Sequence, residues 1–347
     1  MTDTVPLISV CIISRGLGPR LTACLQSLKN QHEPPSFEVL VGSRHKSQIE
    51  AEVRSHFPGS IVDDAAHALP GGGRNSLIER ARGDLLLFID DDVEAHPDLL
   101  ARLARLAGSL PEVGVFGGPN LTPGGSSPFQ VIQGAVLGSM VTSGPIRRRY
   151  GRHPSGTVDE RSLILCNLAV RRGAMRPFEA DLACAEENQM LLELERHGVK
   201  MLYDPDLVVY HERRDTARGF SRQIYKYGFG RGQVMRRNPR SLRLAYLVPS
   251  ATCIYVALAP ALFIAGSWTL APLAAYCLVV AAGGAKVAYS LRRMGAWAPA
   301  TGLIVMVHAC YGVGVMAGLT AGVGNRPGRR TASVIDADAQ AFKTTDI

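Results

Sequence analysis

Leu85-Leu86-Leu87-Phe88-Ile89-Asp90-Asp91-Asp92-Val93 joins five consecutive apolar residues to three consecutive carboxylates. The apolar run has the length and composition of a strand buried on both faces, as in the middle of a parallel sheet. Three adjacent aspartates cannot share a core, because like charges raise one another's pKa or demand a counter-cation. The stretch therefore predicts a strand whose carboxyl end opens onto a cleft. A divalent metal and its anionic ligand would sit there.

Working outward, residues 7–13, 37–41, 60–62 and 113–116 read as further strands. Between them, residues 20–29 place Leu21, Cys24, Leu25 and Leu28 on one helical face, and a short helix is expected near 48–56. Pro70-Gly71-Gly72-Gly73-Arg74-Asn75 reads as a glycine loop opening a helix that runs to about Ala81. After the aspartates, Pro97 marks a helix start, with Leu99, Leu100, Leu103, Leu106 and Leu110 continuing the stripe. This β-α-β-α alternation predicts an α/β doubly wound sheet. Residues 120–160 are rich in Gly, Pro and Ser, and predict long loops with one helix over 129–140. Beyond them come a strand at 161–170, a helix at 186–197, and short strands at 200–203 and 207–210.

The charge is unevenly spread. The net charge of the 347-residue chain is +8, yet residues 213–243 hold ten Arg or Lys against one acid, Asp215, for a local +9. The rest of the chain thus nets about −1 (8 less 9). Next to this basic segment, residues 244–290 carry a single charge, Lys286, and residues 295–325 carry none. A basic patch beside apolar sequence indicates a membrane surface rather than nucleic acid. Three apolar stretches, 245–268, 270–289 and 297–321, each reach the ~20 residues that cross a hydrocarbon core, with Trp268 and Trp297 at their borders. They lack the polar face of soluble core helices. Arg292-Arg293 favours a cytosolic loop between the second and third stretches. Three full crossings would put Arg326, Arg329 and Arg330 outside; Pro249 and Pro260 mark the first stretch as the one to be broken or re-entrant. The division expected is 1–212 catalytic, 213–243 basic interfacial, 244–323 transmembrane and 324–347 polar tail. No basic n-region precedes residues 7–13, so no signal peptide is read and the first domain is expected in the cytosol. The seven scattered cysteines form no Cys-x-x-Cys pair and read as reduced thiols.

Four features carry candidate chemistry. Asp90 and Asp92 form an Asp-x-Asp pair of hard oxygen ligands suited to Mg²⁺ or Mn²⁺, which in turn neutralise a diphosphate. Otherwise they are an acidic loop ahead of Pro97. Arg74 and Asn75 follow three glycines at a helix start, which is either a turn or an anion site. Glu186-Glu187 opens a helix, serving its dipole or supplying a general base. His211 ends a strand as surface polarity or as a metal ligand. Apolar strand, Asp-x-Asp and Val also open haloacid-dehalogenase-like phosphatases, but that family puts the motif on its first strand. Arg147-Arg148-Arg149 either closes over the substrate that donates a group, steers the one that accepts it, or is an exposed basic loop with no specific role.

The order of these features resembles the family-2 glycosyltransferases of the GT-A fold. The match runs from Ser14 after the first strand, through Gly72-Gly73-Arg74-Asn75, Phe88 to Val93 and Glu186-Glu187-Asn188, to the run from His197 to His211. It is similar to their membrane-associated bacterial exopolysaccharide branch, such as the succinoglycan glucosyltransferases. The resemblance implies a GT-A (Rossmann-like nucleotide-diphospho-sugar transferase) domain followed by C-terminal transmembrane helices. It implies a multi-pass enzyme of the inner (plasma) membrane, with its catalytic domain cytosolic. It implies donor binding at Ser14, Arg15, Gly42, Arg74, Asp90 and Asp91, with a UDP-sugar as donor. It implies a metal, Mg²⁺ or Mn²⁺, at Asp92, Asp90 and His211, and a base at Glu187 beside Glu186. Arg222, Gln223, Tyr227 and Arg231 match the segment facing the acceptor or the membrane interface. Two departures bear on substrate. Val41-Gly42-Ser43-Arg44 stands where family members carry an Asp pair that reads uracil, with Asp63 or Asp64 as substitute. The Gln-x-x-Arg-Trp motif of processive members is missing, which implies one sugar per acceptor. The expected activity is inverting transfer to a lipid-linked or polysaccharide acceptor. The alternatives are a polyprenyl-phosphate sugar synthase and a non-catalytic membrane scaffold.

Overall fold

The computed structural model describes residues 7–64, 69–180, 182 and 185–321. Cys184, Arg326, Arg329, Arg330 and the tail 324–347 lie outside the described residues. In chain order the first elements are β1 (Ile8–Ile13), α1 (Pro19–Lys29), β2 (Phe37–Ser43), α2 (Lys46–His56), β3 (Ile61–Asp64), α3 (Pro70–Arg80), β4 (Leu85–Asp90) and β5 (Val93–Ala95). Then come α4 (Leu99–Ser109), β6 (Val113–Gly117), β7 (Asn120–Leu121), α5 (Pro128–Leu137), α6 (Met140–Ser143), β8 (Gly156–Thr157) and β9 (Leu168–Arg171). The rest are α7 (Glu186–Arg196), β10 (Lys200–Tyr203), β11 (Val209–His211), α8 (Ala217–Arg237), α9 (Leu244–Ile264), α10 (Ala271–Ser290) and α11 (Trp297–Thr320).

Eight strands form one sheet in the order β3-β2-β1-β4-β9-β6-β10-β8. The apolar run of β4 is buried on both faces. Leu85, Leu87 and Ile89 pack with Leu21, Leu25, Ile49, Leu100 and Leu103 on one side. Leu86 and Phe88 pack with Leu77, Met190, Leu191 and Leu194 on the other. Helices α1, α2 and α4 therefore cover one face, and α3 and α7 the other. Burying each such side chain is worth about 1.5–3 kcal/mol. Parallel pairing sets Ile13 level with both Gly42 and Asp90, which brings the ends of β1, β2 and β4 to a common edge.

Four elements depart from the sequence expectation. The doubly wound sheet is mixed, because β9 runs antiparallel to both β4 and β6. The strand expected over 161–170 breaks into tight turns and leaves only Leu168–Arg171, since the Asn167 amide turns aside to donate to Leu207 O at 2.7 Å. The glycine loop is no loop: Gly71, Gly72 and Gly73 form the first turn of α3 after Pro70. A Cβ on Gly71 would stand 2.6 Å from Glu179 O, so the glycine is needed for close approach. Finally, the strand expected over 207–210 lies at Val209–His211 in a second, three-stranded sheet, β5-β11-β7.

Helices α9, α10 and α11 are long and apolar enough to cross a membrane. The basic segment is largely α8, and two of its cations, Arg213 just ahead of the helix and Arg231 within it, are buried. Helix α8 runs parallel to α11 and meets it through glycines on both sides. Added Cβ atoms at Gly228 and Gly232 would stand 2.3 Å from Tyr311 O and 2.5 Å from Val315 O. At Gly314 and Gly318 they would stand 2.3 Å from Tyr225 O and 2.1 Å from Phe229 O. This small-xxx-small pairing on both helices lets the backbones touch. Gly228→Ala or Gly318→Ala should cost about 1–3 kcal/mol by overpacking. Gly302→Ala, whose Cβ meets nothing within 4 Å, should cost nothing. Thermal unfolding of the three variants in detergent checks this.

Candidate active site

The end of β4 releases three carboxylates, and each finds a different partner. Asp90 Oδ1 accepts from Arg74 Nη2 at 3.0 Å. Asp91 Oδ2 accepts from the Ser14 hydroxyl at 2.9 Å and the Arg15 amide at 3.0 Å. Asp92 Oδ1 lies 3.1 Å from His211 Nε2. The second sheet makes this last pair, because β11 sets His211 opposite Val93 on β5.

Arg74 is the bridge between two parts of the site. It is 5% exposed, and its other arm donates to Glu186 Oε1 at 2.7 Å. Removing a guanidinium from such a buried arrangement strands a carboxylate, at a cost of about 3–5 kcal/mol. Glu186 and Glu187 occupy the first turn of α7, where the helix dipole favours negative charge. Ala185 before them has φ 66, a left-handed conformation that is strained for a residue with a Cβ. Glu187 is buried, and its Oε1 accepts from the Asn188 amide at 2.9 Å. Asn188 Oδ1 in turn accepts from Arg231 at 2.7 Å and from Arg149 at 3.1 Å.

Burial and charge separate these carboxyls. Burial pushes Asp92 up, but the charge and hydrogen bond of His211, with Arg214 and Arg20, win and hold it well below the usual carboxylate range. Burial lowers His211, and Asp92 overrides it, so the imidazole is pushed up to about 10. Asp91 is raised by burial and by the Asp92 charge, against the donors from Arg15 and Ser14. Glu186 is raised to about 7, chiefly by burial and partly by Glu187, with Arg74 opposing. The site therefore holds one firmly ionised carboxylate beside an imidazole, and one carboxyl poised near neutrality.

Ser14, Gly42, Arg74, Asp90, Asp91, Asp92, Glu186, Glu187 and His211 come together at the sheet edge. Ser14 N donates to Gly42 O at 2.8 Å, which fixes the loop over Asp91. The Arg15 side chain is exposed at the mouth. Of the two acids offered as substitutes near Gly42, Asp63 is occupied by the Ser76 hydroxyl at 2.5 Å and Arg80 at 3.0 Å. Asp64 is exposed and paired in register with Ser43. On α8, Arg222 and Gln223 are half-buried and Tyr227 is exposed, its hydroxyl accepting from Gln223 at 3.0 Å. Arg231 instead turns inward to Asn188. Of the arginine triplet, Arg148 lies over the Tyr203 ring and Arg149 is buried, donating to Arg161 O at 2.7 Å.

Sequence reasoning missed Arg213, and it named Arg149 and Asn188 without the inward contacts they make. Arg213 is buried and donates to the side chain and carbonyl of Asn120, at 2.9 and 2.6 Å. No spacing marks an arginine of a basic run as the one that turns inward. A role for Asn188 was within reach, since it directly follows the Glu pair.

Residues 9–176 match the family model "Glycosyl transferase family 2". No curated protein matches the chain. Among solved structures, the mannosyltransferase PcManGT from Pyrobaculum calidifontis, in complex with GDP-Man and Mn²⁺, is 15% identical with a TM-score of 0.59. The alignment covers 92% of this chain and 88% of that one, more than the α/β part alone. Mannosyl-3-phosphoglycerate synthase from Rubrobacter xylanophilus gives 18% identity over 69% and 76% of the chains, TM-score 0.48. S. aureus TarS 1-349 in complex with UDP-GlcNAc gives 12% over 90% and 89%, TM-score 0.47. Ser14, Arg74, Asp90, Asp91 and Asp92 thus fall inside the segment that matches the family-2 model, Glu186, Glu187 and His211 lie beyond it, and the protein is a glycosyltransferase with a GT-A-like α/β domain.

Proposed function

We propose that this enzyme moves one sugar from a nucleotide diphosphate-sugar to a lipid-linked or saccharide acceptor at a membrane, with inversion and with a divalent metal. The observation that carries this reading is the gathering of Arg74, Asp90, Asp91, Asp92, Glu187 and His211 at one sheet edge, beside helices apolar enough to enter a bilayer. The neighbouring enzymes hold GDP-Man with Mn²⁺ and UDP-GlcNAc, which supports a donor of that class.

The residues present fit a hard divalent ion. Asp92 is ionised and His211 Nε2 stands 3.1 Å from it, so an ion would take the place of the proton shared between a carboxylate oxygen and a ring nitrogen. Among the described residues no three such side chains converge, so the protein offers few ligands and leaves positions for diphosphate oxygens and water. Mg²⁺ and Mn²⁺ are commonly held that way, by one or two side chains plus substrate phosphates. Asp92 and His211 would hold the ion, with Asp90 alongside. When bound, it supplies neutralisation of the departing diphosphate.

The protein's own groups do the rest. Ser14 and Arg15 fix Asp91 at the donor side. Arg74 positions Asp90 and shields it from Glu186. Glu187 takes the proton from the acceptor hydroxyl, whose oxygen then bonds to the anomeric carbon as the bond to the diphosphate oxygen breaks on the opposite face. Asn188 holds the Glu187 carboxylate in place during that transfer. The exposed part of α8 faces the acceptor.

Glu187→Gln should lower sugar transfer by about 10²–10⁴-fold, the range for loss of a general base. Asp92→Ala should lower it to background. Both variants should keep the wild-type circular dichroism spectrum. Full activity in both, measured with radiolabelled nucleotide-sugars and extracted lipid acceptors, would sink the mechanism. Product on bare polyprenyl phosphate would identify the enzyme as a polyprenyl-phosphate sugar synthase. Chelation should abolish transfer by the wild-type enzyme, and added Mn²⁺ or Mg²⁺ should restore it. The same additions should leave Asp92→Ala inactive.

A further inference from the structure

Helix α11 has the length and composition of a membrane span, yet its middle is tied to the α/β domain and its C-terminal end is tied to it through α8. In its middle, Leu303, Ile304 and Val307 pack with Val136 and Leu137 of α5. His308 Nε2 donates to Val141 O of α6 at 3.0 Å while Nδ1 accepts from the Tyr276 hydroxyl at 3.1 Å. At its C-terminal end, Arg236 of α8 donates to Leu319 O at 3.0 Å and Ala321 O at 2.6 Å. A cation there satisfies the last carbonyls of the helix and its dipole. The neighbouring Arg237 lies 4.0 Å from Glu179, and Asn238 accepts from Arg196 of α7 at 2.8 Å. Between these two places, the glycine contacts hold α11 parallel to α8.

A spanning helix must deliver its ends to opposite faces of a core about 30 Å thick. A helix of 24 residues, about 36 Å long, whose middle and C-terminal end are both held on one side by the α/β domain and its cationic helix α8 does not do so. Its partner argues the same way. Helix α8 carries Arg218, Arg222, Lys226, Arg231, Arg236 and Arg237, and a cation at mid-bilayer costs about 2.5–3.5 kcal/mol on insertion scales.

The other two helices behave differently. Helix α9 meets α11 only through its first half: Ser250 donates to Gly312 O at 2.9 Å, and Cys253 Sγ lies 3.7 Å from Ala309 O. Helix α10 meets it from Tyr276 onward: the Tyr276 hydroxyl reaches His308, Ala281 O accepts from Trp297, and Gly284 abuts Thr301. The second half of α9 exposes Val256, Leu258, Phe263 and Ile264, the outward face of α10 exposes Leu278 and Val279, and Trp268 is 75% exposed at the turn between them.

We propose that α9 and α10 form the membrane-inserted hairpin and that α11 does not cross, lying with α8 along the bilayer face on the side of the α/β domain. This rests on the reading that the enzyme is membrane-bound. It places Arg243 and Arg292-Arg293 on one side, as the positive-inside tendency requires, and puts Ala321 there as well.

The test uses full-length protein in sealed vesicles of both orientations, a membrane-impermeant maleimide, and single-cysteine variants with the native cysteines replaced. Thr320→Cys and Met294→Cys should label from the same side as Glu33→Cys in the α/β domain. Ser267→Cys should be reached from the opposite side or be protected. Labelling of Thr320→Cys from the side opposite Glu33→Cys overturns the proposal while leaving membrane binding intact. Release of the unaltered protein by alkaline carbonate overturns membrane binding and the proposal with it. Fusions of green fluorescent protein and of alkaline phosphatase to the C-terminus give a second reading with the native cysteines in place. Fluorescence with an inactive phosphatase is expected, and an active phosphatase overturns the proposal.

Discussion

A strand that is fully buried along its length and ends in three aspartates must neutralise three charges within one turn of chain. The neighbouring elements are arranged around that demand. Arg74 reaches from α3 to Asp90, the β1 loop turns its hydroxyl and amide onto Asp91, and β11 delivers His211 to Asp92. Because each partner comes from a different element, the acidic edge acts as the point where sheet, helices and the small second sheet are registered against one another. Arg74 extends the registration to α7 through Glu186, so the acidic end of β4 and the first turn of α7 share one guanidinium.

The central sheet was legible because its signal is local. Continuous apolar runs, glycines and prolines mark β1, β2, β4 and α4 without reference to anything distant. The candidate site was legible for the same reason: acids and a histidine at strand and helix ends stand out where apolar sequence stops. What failed was information carried by long-range partners. The strand expected over 161–170 is cut short where the Asn167 side chain donates to Leu207 O, 40 residues on. The glycine triplet was misread as a loop because the constraint on Gly71 is the Glu179 carbonyl, 108 residues away. Arg149 and Arg231 look like any other members of basic runs, and only packing turns them inward.

The helical part divides the same way. Composition alone identifies α9, α10 and α11 as apolar enough for a bilayer. It cannot tell a helix that leaves the domain from one strapped to it. Gly314 and Gly318 are unremarkable in an apolar stretch, and their meaning comes from Gly228 and Gly232 in a segment of opposite character. Hydropathy weighs each helix against lipid, whereas the backbone contact of α11 with a cationic neighbour is visible only in the packing.

Asn188 sits at a junction that ties the cleft to the membrane-facing helices. Its carbonyl oxygen is shared by guanidiniums from two separate elements, and its amide holds the proposed base. A shift of α8 along α11 would pull Arg231 against Arg149 at that single oxygen and rotate the amide carrying Glu187. The orientation of the Glu187 carboxylate is thus mechanically coupled to the seat of α8 against α11, and any force that slides one helix along the other is felt at the start of α7.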